Sequence, residues 1–246
     1  MLGETANRKC LDVGSDNGVI SFLLRKEGGN WSSADLDDTA VASITELVKD
    51  NVYQLDEHRT GFKDDEFDTV VIVDYLEHIH NDSGFIEEVY RILKPGGELL
   101  INVPHTTNSL LRKFRLTIGQ TDEKHGHLRP GYKIQDIAEL VAGKFEIQAH
   151  STYSRFFSET IDTLVTFGYG LVKKDSGEQN EAQGTKGVLV TSSDMGKYKK
   201  AFKLYSAIYP IVWLFGKLDG LLFLSKGYMM IVKAKSTKTV MEASVV

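Results

Sequence analysis

The sequence has 246 residues, which fits one domain of ordinary size or one domain with an insertion. With 41% hydrophobic and 26% charged residues it has the composition of an average folded protein, so a disordered chain, a collagen and a disulfide scaffold are excluded. The 29 Lys and Arg against 34 Asp and Glu give a net charge of -5, which provides no general attraction to nucleic-acid phosphates. We therefore expect no nucleic-acid partner.

Cysteine usage and hydropathy indicate the compartment. The single cysteine, Cys10, cannot form an internal disulfide and lies in an apolar stretch, which fits a reducing environment. The N-terminus has no apolar signal region, and the longest uncharged stretch, Leu204–Gly216, is shorter than the roughly 18 residues that a membrane span requires. These features predict a cytoplasmic protein, whose oligomeric state the sequence leaves open.

The first part of the chain, from residue 8 to about 152, alternates short β-branched runs with helical periodicity. This alternation predicts βαβ units and a doubly wound, mostly parallel α/β sheet of Rossmann-like type. In the first helix we expect Val19, Ile20, Leu23 and Leu24 to face inward. The predicted strands are Arg8–Val13, Asn30–Leu36, Val52–Leu55, Phe67–Asp74 and Glu98–Val103, and the helices are Asn17–Lys26, one begun by Asp37 or Asp38, and Asp82–Leu93.

The remaining sequence is less regular. We predict a polar loop through His127, a helix from about Lys133 to Val141 and a strand from Phe145 to about Tyr153, and then an insertion before a final antiparallel strand, Gly227–Ala234. In the insertion, two helical stretches flank a polar segment whose composition suggests a mobile loop. The whole chain, 1–246, is thus predicted to be one domain with a helical insertion or lid at 155–225. The two helical stretches are Phe156–Val172 and Lys197–Leu224, and the polar segment between them is Lys173–Gly187.

A glycine-containing turn follows the first predicted strand. Gly14 and Gly18 are four residues apart, which does not match the G-x-G-x-x-G spacing that seats a pyrophosphate, so a nicotinamide or flavin cofactor is disfavoured. Asp35 ends the second strand, where a carboxylate can accept hydrogen bonds from both hydroxyls of a ribose. The two features together predict a site for a nucleoside without a pyrophosphate.

With these residues the sequence resembles the class I S-adenosylmethionine-dependent methyltransferases, and more narrowly the type 11 group. Asp12-x-Gly14-x-x-x-Gly18 is similar to the glycine-rich first motif of the family, with Asp35 as the ribose-binding acid and Leu36 beside the adenine. Asp56 aligns with the acid that contacts the adenine amino group. Two further blocks typical of the group are Leu76-Glu77-His78-Ile79 and Arg91-Ile92-Leu93-Lys94-Pro95-Gly96-Gly97.

The resemblance implies S-adenosylmethionine as cofactor and S-adenosylhomocysteine as product. One residue departs from the family pattern: Asp16 stands where the first motif usually has a middle glycine, which places a negative charge near the methionine part of the ligand. Asp74 ends the fourth strand and is expected to point into the crevice at the switch point of the sheet. We include it among the candidate cofactor residues, although a structural role for it remains equally open.

Candidate catalytic and substrate residues follow the fifth strand. His105 comes directly after Val103-Pro104 and is our candidate for a general base or substrate contact, because an imidazole can take a proton near neutral pH. His127, Arg129 and Tyr132 are candidate substrate residues on the same edge. His125-x-His127 resembles a metal-binding pair, but no carboxylate or cysteine completes a ligand set by spacing, so we predict no metal.

Lys197–Leu224 combines four lysines with a run of aromatic and aliphatic residues. One interpretation is a helix that covers the substrate cleft. The other is an interfacial element whose aromatic residues enter the lipid headgroup region, at the inner face of the membrane, while its lysines meet anionic lipid. Pro210 must kink or end this helix.

The sequence therefore predicts a methyltransferase that acts on an oxygen or nitrogen of a small-molecule acceptor or of a lipid-linked or cell-envelope acceptor. A non-catalytic S-adenosylmethionine-binding module is an alternative, because Asp16 could spoil the methionine pocket. A nucleic-acid methyltransferase is a weaker alternative, since Val73-Asp74-Tyr75-Leu76 lacks the Asn/Asp-Pro-Pro-aromatic motif of enzymes that methylate a base amino group.

Overall fold

The structure is a computed structural model. It describes residues 1–56, 59–106, 126–161, 163, 210, 213–214, 216–222 and 225–239. Most of the predicted insertion, including the polar segment 173–187, lies outside these residues.

The described chain forms a seven-stranded sheet in the order β3-β2-β1-β4-β5-β7-β6. The first five strands pair in parallel, and β7 runs antiparallel between β5 and β6, which confirms the predicted doubly wound sheet with its antiparallel final strand. The strands are β1 (Lys9–Val13), β2 (Asn30–Asp35), β3 (Val52–Gln54), β4 (Phe67–Val73), β5 (Leu93–Pro104), β6 (Phe145–Tyr153) and β7 (Met229–Ser236). The helices are α1 (Val19–Lys26), α2 (Asp38–Val48), α3 (Asp82–Ile92) and α4 (Ile134–Leu140), with 3-10 turns at Leu76–His78 and Asp219–Leu221.

The core occupies both faces of the central strands, because side chains alternate along each strand. Leu11, Ile72 and Ile101 belong to the larger cluster, which α3 and α4 cover. Cys10, Val71 and Leu100 point to the opposite face, where Leu24 of α1 packs against them. Burial raises the pKa of Cys10 to about 11, so this thiol is inert at neutral pH, as its apolar surroundings predict.

The inward face of α1 differs from the prediction. Val19, Ile20 and Leu23 are 48%, 37% and 49% exposed, whereas Ser21 is completely buried. Hydrogen bonds explain this orientation of α1. Ser21 donates to the buried carboxylate of Asp12, and Arg25, one turn later, donates to Ser33 of β2. Two residues four apart lie on the same side of a helix, so satisfying Asp12 rotates three predicted core residues to the surface. Only Leu24 among the four faces inward.

Several element boundaries also shift. The first helix begins at Val19 rather than Asn17, and the last strand covers Met229–Ser236 rather than Gly227–Ala234. α3 ends at Ile92, and β5 begins at once with Leu93, so the segment predicted to separate helix and strand lies within the strand. A register shift between Phe67 and Thr69 in the β4–β5 pairing accommodates this segment.

Candidate functional site

The loop between β1 and α1, residues 14–18, is called the glycine loop below. It is packed too closely to accept side chains at its two glycines. Gly14 has φ +85°, and a Cβ there would lie 2.2 Å from the carbonyl oxygen of Val73 at the end of β4. Gly18 has φ +79°, and a Cβ there would lie 2.8 Å from the Cα of Ile44 in α2. Positive φ and close backbone contact both require glycine. The two glycines therefore let the loop lie tightly over the carboxyl ends of β1 and β4.

Asp12, in β1, is hydrogen-bonded to this loop. Its carboxylate is completely buried and accepts hydrogen bonds from the hydroxyls of Ser15 (2.8 Å), Ser21 (2.5 Å) and Ser33 (2.7 Å). Burial raises the pKa of Asp12 above its ordinary value, while the serine hydrogen bonds and the nearby Arg25 oppose that rise. Because these bonds join β1, the loop, α1 and β2, we expect Asp12 to position the loop rather than contact a cofactor.

Asp35 lies between the end of β2 and the glycine loop. One of its carboxylate oxygens accepts from the backbone amides of Leu36 (2.8 Å) and Asp37 (3.3 Å), and the other faces the amide of Asp16 at 3.4 Å. Asp35 is only 3% exposed, so its orientation is fixed. Leu36 packs at the edge of the larger core cluster. Asp56 follows the buried Leu55 and is itself exposed.

Asp16, the residue that departs from the family pattern, has φ +49°, within the left-handed region that aspartate tolerates better than most residues. Its backbone amide faces Asp35, so the loop uses the main chain of residue 16 for this contact. The aspartate side chain therefore does not prevent the loop from closing against β2.

A polar group at the carboxyl ends of β4, β5 and β6 joins the predicted Asp74 to two residues that were not predicted, Asn102 and Tyr153. Asp74 has φ +45°, its amide donates to the carbonyl of Asn102 at 3.0 Å, and the Asn102 side-chain amide reaches its carboxylate at 3.4 Å. The hydroxyl of Tyr153 donates to Asn102 Oδ1 at 2.7 Å. Burial, with the charge of Asp74, raises the pKa of Tyr153, so the phenol stays protonated at neutral pH. A polar Asn102 within an apolar strand was the available sequence signal.

His105 is at the predicted place after β5 and is 6% exposed. Its Nδ1 lies 2.9 Å from the carbonyl oxygen of Gly227. Since a carbonyl only accepts, Nδ1 carries the proton, and Nε2 holds the lone pair of the neutral ring. This is the arrangement that a general base needs, and the catalytic role of His105 remains a prediction.

The predicted substrate residues Arg129 and Tyr132 have structural partners. The Arg129 guanidinium bonds the carboxylate of Asp82 and the carbonyl of Ile79 (2.9 Å). The Tyr132 hydroxyl contacts the same Asp82 carboxylate at 2.9 Å, and burial raises its pKa. Both residues therefore fasten the segment after residue 126 onto the start of α3. They line a cavity of about 430 Å³ together with residues of α4.

The described residues form a doubly wound α/β domain, with the glycine-containing loop and Asp35 at the switch point of its sheet, where the nucleoside site is predicted. Residues 11–101 match the family model described as "Methyltransferase domain". This part of the chain is therefore similar to methyltransferase domains, which supports the resemblance to the class I S-adenosylmethionine-dependent methyltransferases that the sequence motifs indicate.

Relatives and solved structures extend the comparison. The chain is 30% identical over 104 residues to a demethylmenaquinone methyltransferase of Tropheryma whipplei (strain Twist), covering 41% of this chain and 44% of that protein. It is 30% identical over 118 residues to a ubiquinone biosynthesis O-methyltransferase of Hydrogenovibrio crunogenus, covering 46% and 48%. The matches thus span less than half of each relative.

A solved structure shares the fold over a longer range. Phosphoethanolamine N-methyltransferase 2 of Haemonchus contortus, crystallised with S-adenosyl-L-methionine, is similar with a TM-score of 0.54 at 18% identity. The similarity covers 96% of this chain and 50% of that one. It supports the assigned fold. Among the described residues, no helix is both long and apolar enough to cross a membrane.

Proposed function

We propose that this chain is an enzyme that binds S-adenosylmethionine and transfers its methyl group to an oxygen or nitrogen of a small-molecule acceptor. The observation that carries the proposal is the fixed carboxylate of Asp35, which backbone amides orient against the tightly packed glycine loop. A carboxylate at the end of the second strand suits the two hydroxyls of a ribose. S-adenosylhomocysteine is the product.

Methyl transfer from S-adenosylmethionine needs little acid or base catalysis from the protein. The sulfonium already makes the methyl group electrophilic, so orientation of the acceptor at about 3 to 3.5 Å and exclusion of water supply most of the catalysis. Asp74, Asn102 and Tyr153 form a hydrogen-bonded group on the same sheet edge. We assign these three residues to positioning the acceptor, and His105 to deprotonating a hydroxyl acceptor.

The names of the two relatives favour an oxygen acceptor on a quinone-type compound. Each name includes a quinone, and one of them is that of an O-methyltransferase. We therefore propose a quinone-type or phenolic acceptor. The rival function is a non-catalytic binding module, which would bind S-adenosylmethionine without transferring a methyl group to any such acceptor.

Asp35→Asn tests the cofactor site. The amide keeps an oxygen for the Leu36 amide but loses the charge, so the hydrogen bonds to ribose weaken. Charge-assisted bonds contribute about 1.5 to 3 kcal/mol, and we expect the dissociation constant for S-adenosylhomocysteine, measured by calorimetry, to rise at least tenfold.

Asp38→Asn is the matched control, because Asp38 is an exposed carboxylate three residues further along the chain. It should leave the dissociation constant unchanged. Equal affinities of Asp35→Asn and the unaltered protein would refute the ribose assignment, and binding without methyl transfer to phenolic acceptors would favour the binding module.

We also propose contact with an anionic membrane surface through the end of the predicted insertion, since Trp213 and Leu214 are 54% and 55% exposed. The ammonium of Lys217 lies 5.3 Å from the Trp213 ring, which joins a cation to the aromatic residue as interfacial elements require. This surface would admit a lipid-linked acceptor.

Trp213→Ser should reduce sedimentation of the protein with anionic phospholipid vesicles, and added salt should reduce it further. Leu47→Ser, at a 40% exposed position of α2, is the control and should sediment like the unaltered protein. If the unaltered protein fails to sediment at low salt, the membrane proposal is wrong and the acceptor is not presented by a lipid surface.

A further inference from the structure

The turn after β4 and the segment near residue 127 bring one carboxylate and two imidazoles together. Glu77, His78 and His127 each offer a ligand atom, and these atoms all lie within 4.8 Å of one another. The amide of Leu128 donates to the backbone carbonyl of Glu77 at 2.8 Å, which places His127 beside the turn. The two imidazole rings meet edge to face, with centroids 4.7 Å apart.

His78 is oriented as a metal ligand is. Its Nδ1 lies 2.9 Å from the carbonyl oxygen of Gly126, and because a carbonyl only accepts, Nδ1 carries the proton. Nε2 is then the nitrogen with the lone pair, and it lies 3.9 Å from a carboxylate oxygen of Glu77. A hydrogen bond from one ring nitrogen to a carbonyl commonly fixes the tautomer of a ligating histidine.

Glu77 is completely buried, whereas His78 and His127 are partly buried. An ion bound among these three groups is therefore partly shielded from water, which strengthens its attraction to the carboxylate.

We propose that Glu77, His78 and His127 bind a divalent transition-metal ion. Two imidazoles with one carboxylate are donors suited to Zn²⁺, Co²⁺ or Fe²⁺, whereas Mg²⁺ prefers oxygen ligands alone. Ligand bonds of about 2.1 Å place neighbouring ligand atoms about 3 to 3.5 Å apart, so small side-chain rotations close the site around the ion. Three protein ligands leave further coordination positions open.

The open positions suggest a use in the methyl transfer, and this part rests on the proposed function. The turn directly follows β4, beside the sheet edge where the acceptor must bind. A hydroxyl bound to a transition-metal dication loses its proton near neutral pH far more readily than in water. The site therefore fits acceptors with a phenolic hydroxyl: the hydroxyl proton would pass to His105 or to water, and the ion would hold the oxygen as an anion until it takes the methyl group from the sulfonium.

The test is titration of the metal-free full chain with Zn²⁺ by calorimetry and with Co²⁺ by visible absorption. We expect one ion per chain, with a Co²⁺ spectrum typical of mixed nitrogen and oxygen ligands, and at least hundredfold weaker binding of Mg²⁺. His127→Gln and Glu77→Gln should each weaken Zn²⁺ binding at least tenfold. His150→Gln, at an exposed position of β6, should bind like the unaltered protein.

Circular dichroism and thermal melting without metal verify that the variants are folded. If Glu77→Gln does not fold, the half-buried His127 decides the test through His127→Gln alone. Absence of stoichiometric binding, or affinity of His127→Gln equal to that of the unaltered protein, would overturn the site. S-adenosylhomocysteine binding is measured in the same samples, so that a protein that binds Zn²⁺ but not the nucleoside contradicts the proposed function and leaves the metal site standing.

Discussion

Replacing Gly14 with alanine is expected to destabilise the protein by about 2 to 4 kcal/mol and to lower its affinity for S-adenosylhomocysteine at least a hundredfold. Two causes act together. At φ +85° an alanine is strained by about 1 to 2 kcal/mol, and its Cβ would lie 2.2 Å from the carbonyl oxygen of Val73. The loop must therefore move away from β4, which displaces it from Asp35. Urea denaturation and calorimetry measure the two effects.

Gly61→Ala separates the close contact from the strain. Gly61 has a similar φ of +76°, but a Cβ there meets nothing within 4 Å. This variant should lose only about 1 kcal/mol and keep the affinity of the unaltered protein. If Gly14→Ala binds the ligand as tightly as Gly61→Ala does, the glycine loop is not part of the cofactor site.

The local sequence pattern predicts the parallel part of the fold well because it is built from repeated units. β-branched runs and helical periodicity alternate, and right-handed crossovers then leave few possible arrangements of the strands. The position of Asp35 at the end of β2 follows from the same reasoning. Its orientation does not, because it depends on backbone amides in its own turn and on the loop that contains Asp16.

The error at α1 shows how a buried charge overrides hydrophobic periodicity. Counting apolar residues assigns Val19, Ile20 and Leu23 to the core, but the buried carboxylate of Asp12 demands hydrogen-bond donors. Ser21 meets that demand only when the helix turns its serine inward. A polar residue flanked by apolar ones on a helix beside a buried acid is the signal that periodicity overlooks.

The proposed metal ligands Glu77, His78 and His127 could not be recognised from their spacing in the sequence. His127 and Glu77 are 50 residues apart in the sequence, and Glu77 belongs to a sequence block that the family resemblance already explains. The two meet because the segment after residue 126 is fastened to the start of α3 by Arg129, Tyr132 and Asp82. Arg129 and Tyr132 were predicted to contact substrate. Their observed hydrogen bonds to Asp82 also give them a structural role, which is to position His127.

Acid should destabilise the protein through Glu88. This carboxylate lies on α3 and is 8% exposed, and it accepts from the Arg91 guanidinium (2.7 Å) and from the amide and hydroxyl of Thr60 (2.8 and 2.7 Å). Burial alone would raise its pKa, but the bonds from Arg91 and Thr60 outweigh burial and lower the pKa of Glu88 from 4.5 to about 2.

A carboxyl whose pKa is lowered on folding contributes stability above its unfolded pKa and loses it as the pH falls toward its folded pKa. For Glu88 the contribution amounts to about 3 kcal/mol, present at neutral pH and lost between pH 4.5 and about 2. Glu88→Gln should therefore be less stable at pH 7, and its free energy of unfolding should depend less on pH below 4.5. Urea denaturation at a series of pH values measures both.

Glu87→Gln is the matched control, because Glu87 is the neighbouring carboxylate on the same helix but is 65% exposed and pairs with Lys144 at 3.3 Å. An exposed ion pair contributes less than about 1 kcal/mol, so this variant should follow the acid profile of the unaltered protein. Parallel acid profiles of Glu88→Gln and the unaltered protein would show that the Arg91–Glu88–Thr60 bonds do not set the acid stability. If the free energy of unfolding falls more steeply with acid in the unaltered protein than in Glu88→Gln, the ionised Glu88 carboxylate on α3 stabilises the fold through its bonds to Thr60.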